Sequence, residues 1–75
     1  MHDYKSTIIG HNIARAQEIG TNGSLEHAKR VASREFGDGF DGHKIIIQRR
    51  VADPGGWSYE TIAERTLPSR YWSQY

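Results

Sequence analysis

SLEHAKRVASREF, residues Ser24–Phe36, carries the firmest helical pattern in the chain. Leu25, Ala28, Val31, Ala32 and Phe36 recur at helical spacing and form one apolar stripe. Ser24 suits the N-cap, where its hydroxyl accepts a hydrogen bond from a free amide of the first turn. Glu26 places negative charge at the positive end of the helix dipole, three and four residues before Lys29 and Arg30. Gly37-Asp38-Gly39 is expected to end the helix, because Gly adopts the left-handed conformation without a Cβ clash. A helix this short is marginal alone in water, so its stripe needs a cover, and the flanking sequence supplies strands.

Before the helix, residues 4–11 (YKSTIIGH) read as a strand rich in β-branched residues, and His11-Asn12 as a turn. Residues 13–19 are compatible with a short helix, but a strand pairing back on the first is favoured. That strand puts Ile13, Arg15, Gln17 and Ile19 on one face. Thr21-Asn22-Gly23 then links it to the helix. After the helix, His43–Val51 is the strongest strand. Its three consecutive isoleucines suit a central position, apolar on both faces. Residues 52–56 (ADPGG) read as a turn. Trp57–Thr66 alternates, with Trp57, Tyr59, Thr61 and Ala63 on one face and Ser58, Glu60, Ile62 and Glu64 on the other. Leu67-Pro68-Ser69 is a further turn, and Arg70–Tyr75 a short aromatic edge strand. The expectation is one α+β domain over residues 1–75: an antiparallel sheet of about five strands in the order β-β-α-β-β-β, with the helix packed across it.

Composition narrows the function. With 75 residues the core is thin, and the absence of cysteine removes disulfides and thiolate metal sites. A net charge of +1 supplies no strong field toward nucleic acid and argues against an acidic mimic. The apolar fraction is low at 36%, while the aromatic residues are many. This pairing suggests a sheet whose second face meets a partner. No apolar run approaches a membrane span, and MHDYKS lacks the features of a signal peptide, so a cytoplasmic location is expected.

Candidate chemistry points to binding rather than catalysis. GDGFDG contains G-x-G-x-x-G at Gly37, Gly39 and Gly42, but after a helix rather than before one, so the dinucleotide reading fails. A calcium loop through Asp38 and Asp41 lacks its closing Glu. His2, His11, His27 and His43 have no metal-ligand spacing. There is no G-x-S-x-G nucleophile motif. Glu60 and Glu64 on a regular strand would share a face about 13 Å apart, too far for paired-carboxylate work. No enzyme activity, cofactor, metal site or small-molecule substrate is expected. The candidate binding residues are instead basic and aromatic. Lys29, Arg30 and Arg34 are expected on the solvent side of the helix, as an ordinary solvated face or as a patch for phosphate or an acidic surface. Arg49 and Arg50 are expected to point to opposite faces of their strand, which leaves one of them available to extend such a patch. Trp57, Tyr59, Tyr71 and Trp72 are expected to divide between core and interface anchors.

The helix also carries a resemblance. Ser24, Leu25, Ala28, Lys29, Arg30, Ala32, Ser33, Arg34 and Glu35 fit S-L-x-x-A-K-R-[IV]-A-S-[KR]-E, which resembles the helix of small phage-encoded type I-F anti-CRISPR proteins, in particular the ninth family of that series. The order of elements is similar, and Trp57 and Trp72 fall where that family has tryptophans. The glycine-rich loop after the helix, the longer turn at residues 52–56 and the extra carboxyl-terminal aromatics depart from it. The resemblance implies an inhibitor that binds the backbone subunits of a type I CRISPR surveillance complex in the host cytoplasm and blocks or misdirects target DNA binding. It also implies that Lys29, Arg30 and Arg34 face the nucleic-acid path. The competing class is a small phage accessory or regulatory protein that meets nucleic acid through its basic helix.

Overall fold

A computed structural model of the chain describes residues 2–10, 17–36 and 40–75. The elements are β1 (Tyr4–Ile9), β2 (Gln17–Thr21), α1 (Leu25–Phe36), β3 (Lys44–Asp53), β4 (Gly56–Thr66) and β5 (Ser73–Gln74). The strands form one five-stranded sheet in the order β2-β1-β3-β4-β5, antiparallel throughout, and α1 lies across one face. The chain is therefore α+β, with the expected order of elements. The His11-Asn12 turn, residues 13–16 of the second strand, and Gly37-Asp38-Gly39 lie outside the described residues.

The helix begins as its sequence dictates. The His27 N–H donates to Ser24 Oγ at 3.1 Å, and the Ala28 N–H to the Ser24 carbonyl at 3.1 Å. Ala28, Ala32 and Phe36 are fully covered, while Leu25 and Val31 are half-buried. Beneath them lie Ile8, Ile45, Ile47 and Ala63, each without exposed surface, and Leu67. Ala32 and Phe36 pack with Ile8, Ile45 and Leu67, whereas Ala28 packs with Ile47 and Ala63. Trp72 touches both groups and joins them. Each buried isoleucine contributes about 1.5–3 kcal/mol through the apolar surface it removes from water. The central isoleucine run divides by strand alternation: Ile45 and Ile47 face the helix, and Ile46 lies half-buried on the opposite, open face.

Strand β4 departs from regular alternation. Ile47 pairs with Ala63 but Gln48 pairs with Thr61, so Ile62 is an extra residue on β4. The bulge reverses the facing of everything beyond it. Trp57, Tyr59 and Thr61 lie on the open face, whereas Ala63 turns under the helix. The expectation that these four share a face is therefore corrected. Glu60 and Glu64 likewise fall on opposite faces, Glu60 opposite Arg49 and Glu64 opposite Ile46.

The turn at residues 52–56 is tighter than expected. Asp53 and Gly56 pair in the ladder, leaving Pro54 and Gly55 as the connection. Asp53 Oδ1 accepts the Gly55 N–H at 3.0 Å, and Gly56 takes φ 131°. The carboxyl-terminal strand is shorter than expected, Ser73–Gln74 alone. Residues 67–72 are held as a loop by bonds from the Ser69 N–H to the Thr66 carbonyl and from the Tyr71 N–H to Ser69 Oγ. At the far corner, Asp3 Oδ2 accepts the Gly23 N–H at 3.0 Å, and the Asp3 carbonyl accepts the Arg50 N–H at 2.9 Å. One residue thereby joins the turn before the helix to the start of β1 and to β3.

Phe36→Ala should lower stability by about 3–5 kcal/mol, and Ile47→Ala by about 2–5 kcal/mol, read by chemical denaturation. Wild-type stability in either variant would contradict the packing of α1 on this face. Ser6 is buried against the helix side, and its Oγ has no partner among the described residues. Ser6→Ala removes a buried unpaired hydroxyl and should raise stability by about 1 kcal/mol; a loss in the same measurement would show that the hydroxyl is bonded.

Candidate binding site on the helix flank

Helical spacing sets Glu26, Lys29, Arg30 and Ser33 along one flank of α1. Opposite them stands Trp72, and together these residues line an open cleft of about 440 Å³. Trp72 is placed by the loop that precedes β5: part of its ring is covered by the core, and part faces the cleft. The Arg65 guanidinium lies 5.9 Å from the Trp72 ring centroid. It donates to Ser33 Oγ at 2.7 Å and to the Ser69 carbonyl. Arg65 therefore ties β4 to the helix and to the loop while resting on the tryptophan.

The three basic helix residues expected on one solvent face differ in environment. The Lys29 side chain is only 12% exposed. Its Nζ donates to Gln74 Oε1 at 2.8 Å and lies 3.6 Å from Glu26 Oε1. Its placement on the free back of the helix is corrected: the stem is covered where α1 faces β5, and the ammonium bridges the two. Arg30 is exposed and forms no ion pair among the described residues, since Glu26 is taken by Lys29. Arg34 is exposed beside Glu35, at 3.4 Å, and does not line the cleft.

The remaining candidates are dispersed. Arg50 and Tyr59 are cross-strand neighbours on the open face, and the Arg50 guanidinium also lies 4.7 Å from the ring centroid of Trp57. Lys5 lies 4.6 Å from the Tyr59 ring centroid, so cations and rings alternate along this face from Lys5 to Trp57. Carboxylates accompany the cations: Asp3 lies 3.4 Å from Arg50, Glu18 3.8 Å from Lys5 and Glu64 3.5 Å from Lys44. Among the described residues the open face thus has no surplus of positive charge. Arg49 is on the helix side, paired with Glu60. Tyr71 stands alone at 85% exposure. Among the aromatics, Trp57 and Tyr71 are exposed, while Tyr59 and Trp72 are half-buried.

Arg65, Ser33 and Gln74 are not among the residues that the sequence marks for binding. Arg65 reaches the helix because the bulge turns it to that side, and no spacing rule in the sequence signals this. Tyr75, at the end of β5, has its phenol raised above its ordinary pKa, first by hydrogen bonding to Glu64, then by desolvation and by that carboxylate's charge. Among the described residues no three His, Cys, Asp or Glu side chains converge to hold a metal ion, and no helix is long and apolar enough to cross a membrane.

Around Trp72 the cations Lys29, Arg30 and Arg65 outnumber the carboxylate of Glu26. Arg30, without a side-chain partner among the described residues, presents donors to a phosphate or carboxylate, and the exposed part of the indole offers a surface for a planar group. Comparison of the chain with protein-family models, with curated proteins and with solved structures gives no match.

Lys29→Ala should destabilise the fold, because it uncovers the helix flank and leaves Gln74 without its donor. Arg30→Ala should leave the melting temperature nearly unchanged, since an exposed charge contributes only about 0–1 kcal/mol. Equal melting temperatures for the two variants would return Lys29 to the solvated set.

Proposed function

We propose that this protein acts by binding: it docks on the backbone subunits of a type I CRISPR surveillance complex and obstructs or misdirects target DNA, with the flank of α1 turned toward nucleic acid. One observation carries the reading. The helix that bears the S-L-x-x-A-K-R-x-A-S pattern has Lys29 and Arg30 gathered with Trp72 around one open cleft, and Arg65 lies against the Trp72 ring. The β-β-α-β-β-β order agrees with the same resemblance. Obstruction requires no reacting group, only occupancy of a channel built to hold heteroduplex. A near-neutral protein does not enter such a channel as an acidic mimic. Its hold on protein then rests on aromatic and hydrogen-bonding contacts, and its cationic flank is left for DNA.

The cleft itself favours a second reading, a small nucleic-acid-binding accessory protein, because an exposed arginine beside a tryptophan suits a phosphate and a stacked base. Salt separates the two. A phosphate-driven binder loses affinity steeply as salt rises, whereas a protein-docked inhibitor retains most of its own.

The test is a pull-down against purified type I surveillance complexes, with and without target DNA. Salt-resistant capture that lowers target-DNA binding is expected. Arg30→Glu combined with Arg34→Glu alters exposed charges only, so the fold should persist. In that variant, DNA association of the inhibitor-bound complex should weaken, and the salt slope should flatten by about one unit per lost phosphate contact. No capture by any type I complex, with salt-sensitive binding to DNA alone, would decide for the accessory protein.

A further inference from the structure

The outer edge of β4 is only partly used. Strand β5 pairs with Ala63 and Glu64, and the Tyr75 N–H donates to the Ile62 carbonyl at 3.0 Å. From Thr61 back to Gly56 no strand lies outside β4 among the described residues.

The direction of the backbone groups along that segment follows from the register. The Arg50 N–H donates to the Asp3 carbonyl, so the backbone of Arg50 is turned toward β1. In an antiparallel pair the residue opposite such a position is not bonded across the ladder. Tyr59 is that residue. Its N–H and C=O therefore point outward, as do those of Trp57 two residues away, while Ser58 and Glu60 bond inward to β3. Neither lysine nor proline, which commonly blunt an edge, occurs between Trp57 and Thr61, and the charge of Glu60 is paired with Arg49. The bulge falls beyond them, at Ile62.

Next to this edge, on the helix side, is a second cleft of about 330 Å³. Leu25 and Ile62 give it apolar walls, and Arg49 and Glu60 line it as an ion pair already made. Gln74 and Tyr75 close the end where β5 stops. The cleft thus begins where the intramolecular strand leaves off, along the same line.

We infer that the edge of β4 from Gly56 to Thr61 is a docking site for an extended peptide segment of a protein partner, added antiparallel to β4 in line with β5. Outward N–H and C=O groups on alternate residues match a polypeptide backbone. Side chains of the added strand alternate between two environments. On the open face they lie beside Trp57 and Tyr59, where β-branched residues pack well against rings. On the other face they enter the cleft, where Leu25 and Ile62 offer contact to an aliphatic group and Arg49 and Glu60 already satisfy each other. A second copy of this chain fits poorly. Symmetric pairing centred on Tyr59 would set the second copy's Gly55 opposite Ala63, a place that Gln74 already holds. Registers nearer the hairpin tip pair fewer residues. This docking does not depend on the proposed inhibitor role.

Two synthetic probes test the inference on the full chain: acetyl-KTLTLTLTK-amide and acetyl-KTDTDTDTK-amide, followed by amide hydrogen exchange in nuclear magnetic resonance spectra. The leucine peptide at millimolar concentration should slow exchange of the Trp57 and Tyr59 amides by at least about tenfold, leave Ser58 and Glu60 unchanged, and bind at least about tenfold more tightly than the aspartate peptide. Tyr59→Pro removes an outward donor without breaking a ladder bond, and should weaken the leucine peptide by a similar factor, while Tyr59→Phe should retain binding. Absence of protection at Trp57 and Tyr59 in the wild-type protein, or equal binding of the two peptides, would overturn the inference. So would a wild-type dimer in sedimentation that Tyr59→Pro dissolves, since the edge would then belong to a second copy.

Discussion

Contact between the alanines of α1 and the isoleucines of the sheet is what the rest of the structure depends on. Ala28 and Ala32 have no bulk beyond a methyl group, so the helix axis comes close to the strands and seals Ile8, Ile45 and Ile47 completely. In a thin core, few other side chains can do this. The close approach also fixes the reach of the neighbouring groups. It brings Ser33 to the Arg65 guanidinium and Lys29 to Gln74, bonds that would lengthen if a larger residue lifted the helix. Phe36 covers the carboxyl-terminal end of the interface, and Trp72 packs against both groups of core residues.

A single extra residue in β4 decides what each face presents. Without Ile62 as a bulge, Trp57 and Tyr59 would share a face with Ala63 under the helix. With it, the amino-terminal half of β4 gives its aromatics to the open face and its carboxyl-terminal half gives Ala63 and Arg65 to the core side. The residues first grouped as one binding set therefore belong to separate surfaces: a cationic cleft around Trp72, and a charge-balanced row of cations and rings on the far side of the sheet.

Much of the fold was legible because local rules coincided with the tertiary outcome. The Ser24 cap, the Leu25–Phe36 stripe and the isoleucine run of β3 each obey a periodicity that packing then uses. The facing of β4 was not legible, because alternation within Trp57–Thr66 is unbroken in the residues themselves; the bulge is visible only in pairing with Ile47 and Gln48. The candidate site was half legible. Lys29, Arg30 and Trp72 were named, and they do meet. Arg65 and Gln74 were not, since their part depends on which way β4 and β5 turn. Helical spacing puts Lys29 on the solvent side, because spacing alone does not show that β5 comes up beside the flank.

The β3–β4 hairpin has a consequence for how the chain reaches this structure. Its strands are joined by Pro54 and Gly55 alone, so it closes the smallest loop in the sheet, whereas β1 must meet β3 across a long span, as in the Asp3–Arg50 contact 47 residues apart. Loop-closure entropy favours the short link first, and hairpins form in microseconds. The hairpin already carries Ile45, Ile47, Ala63 and Leu67. An early hairpin is therefore a half-built floor, on which the capped helix can settle before β1 arrives between β2 and β3. Pairing Ile8 and Ser6 into the middle of the sheet carries the larger loop-closure cost, because distant parts of the chain must be in register at once.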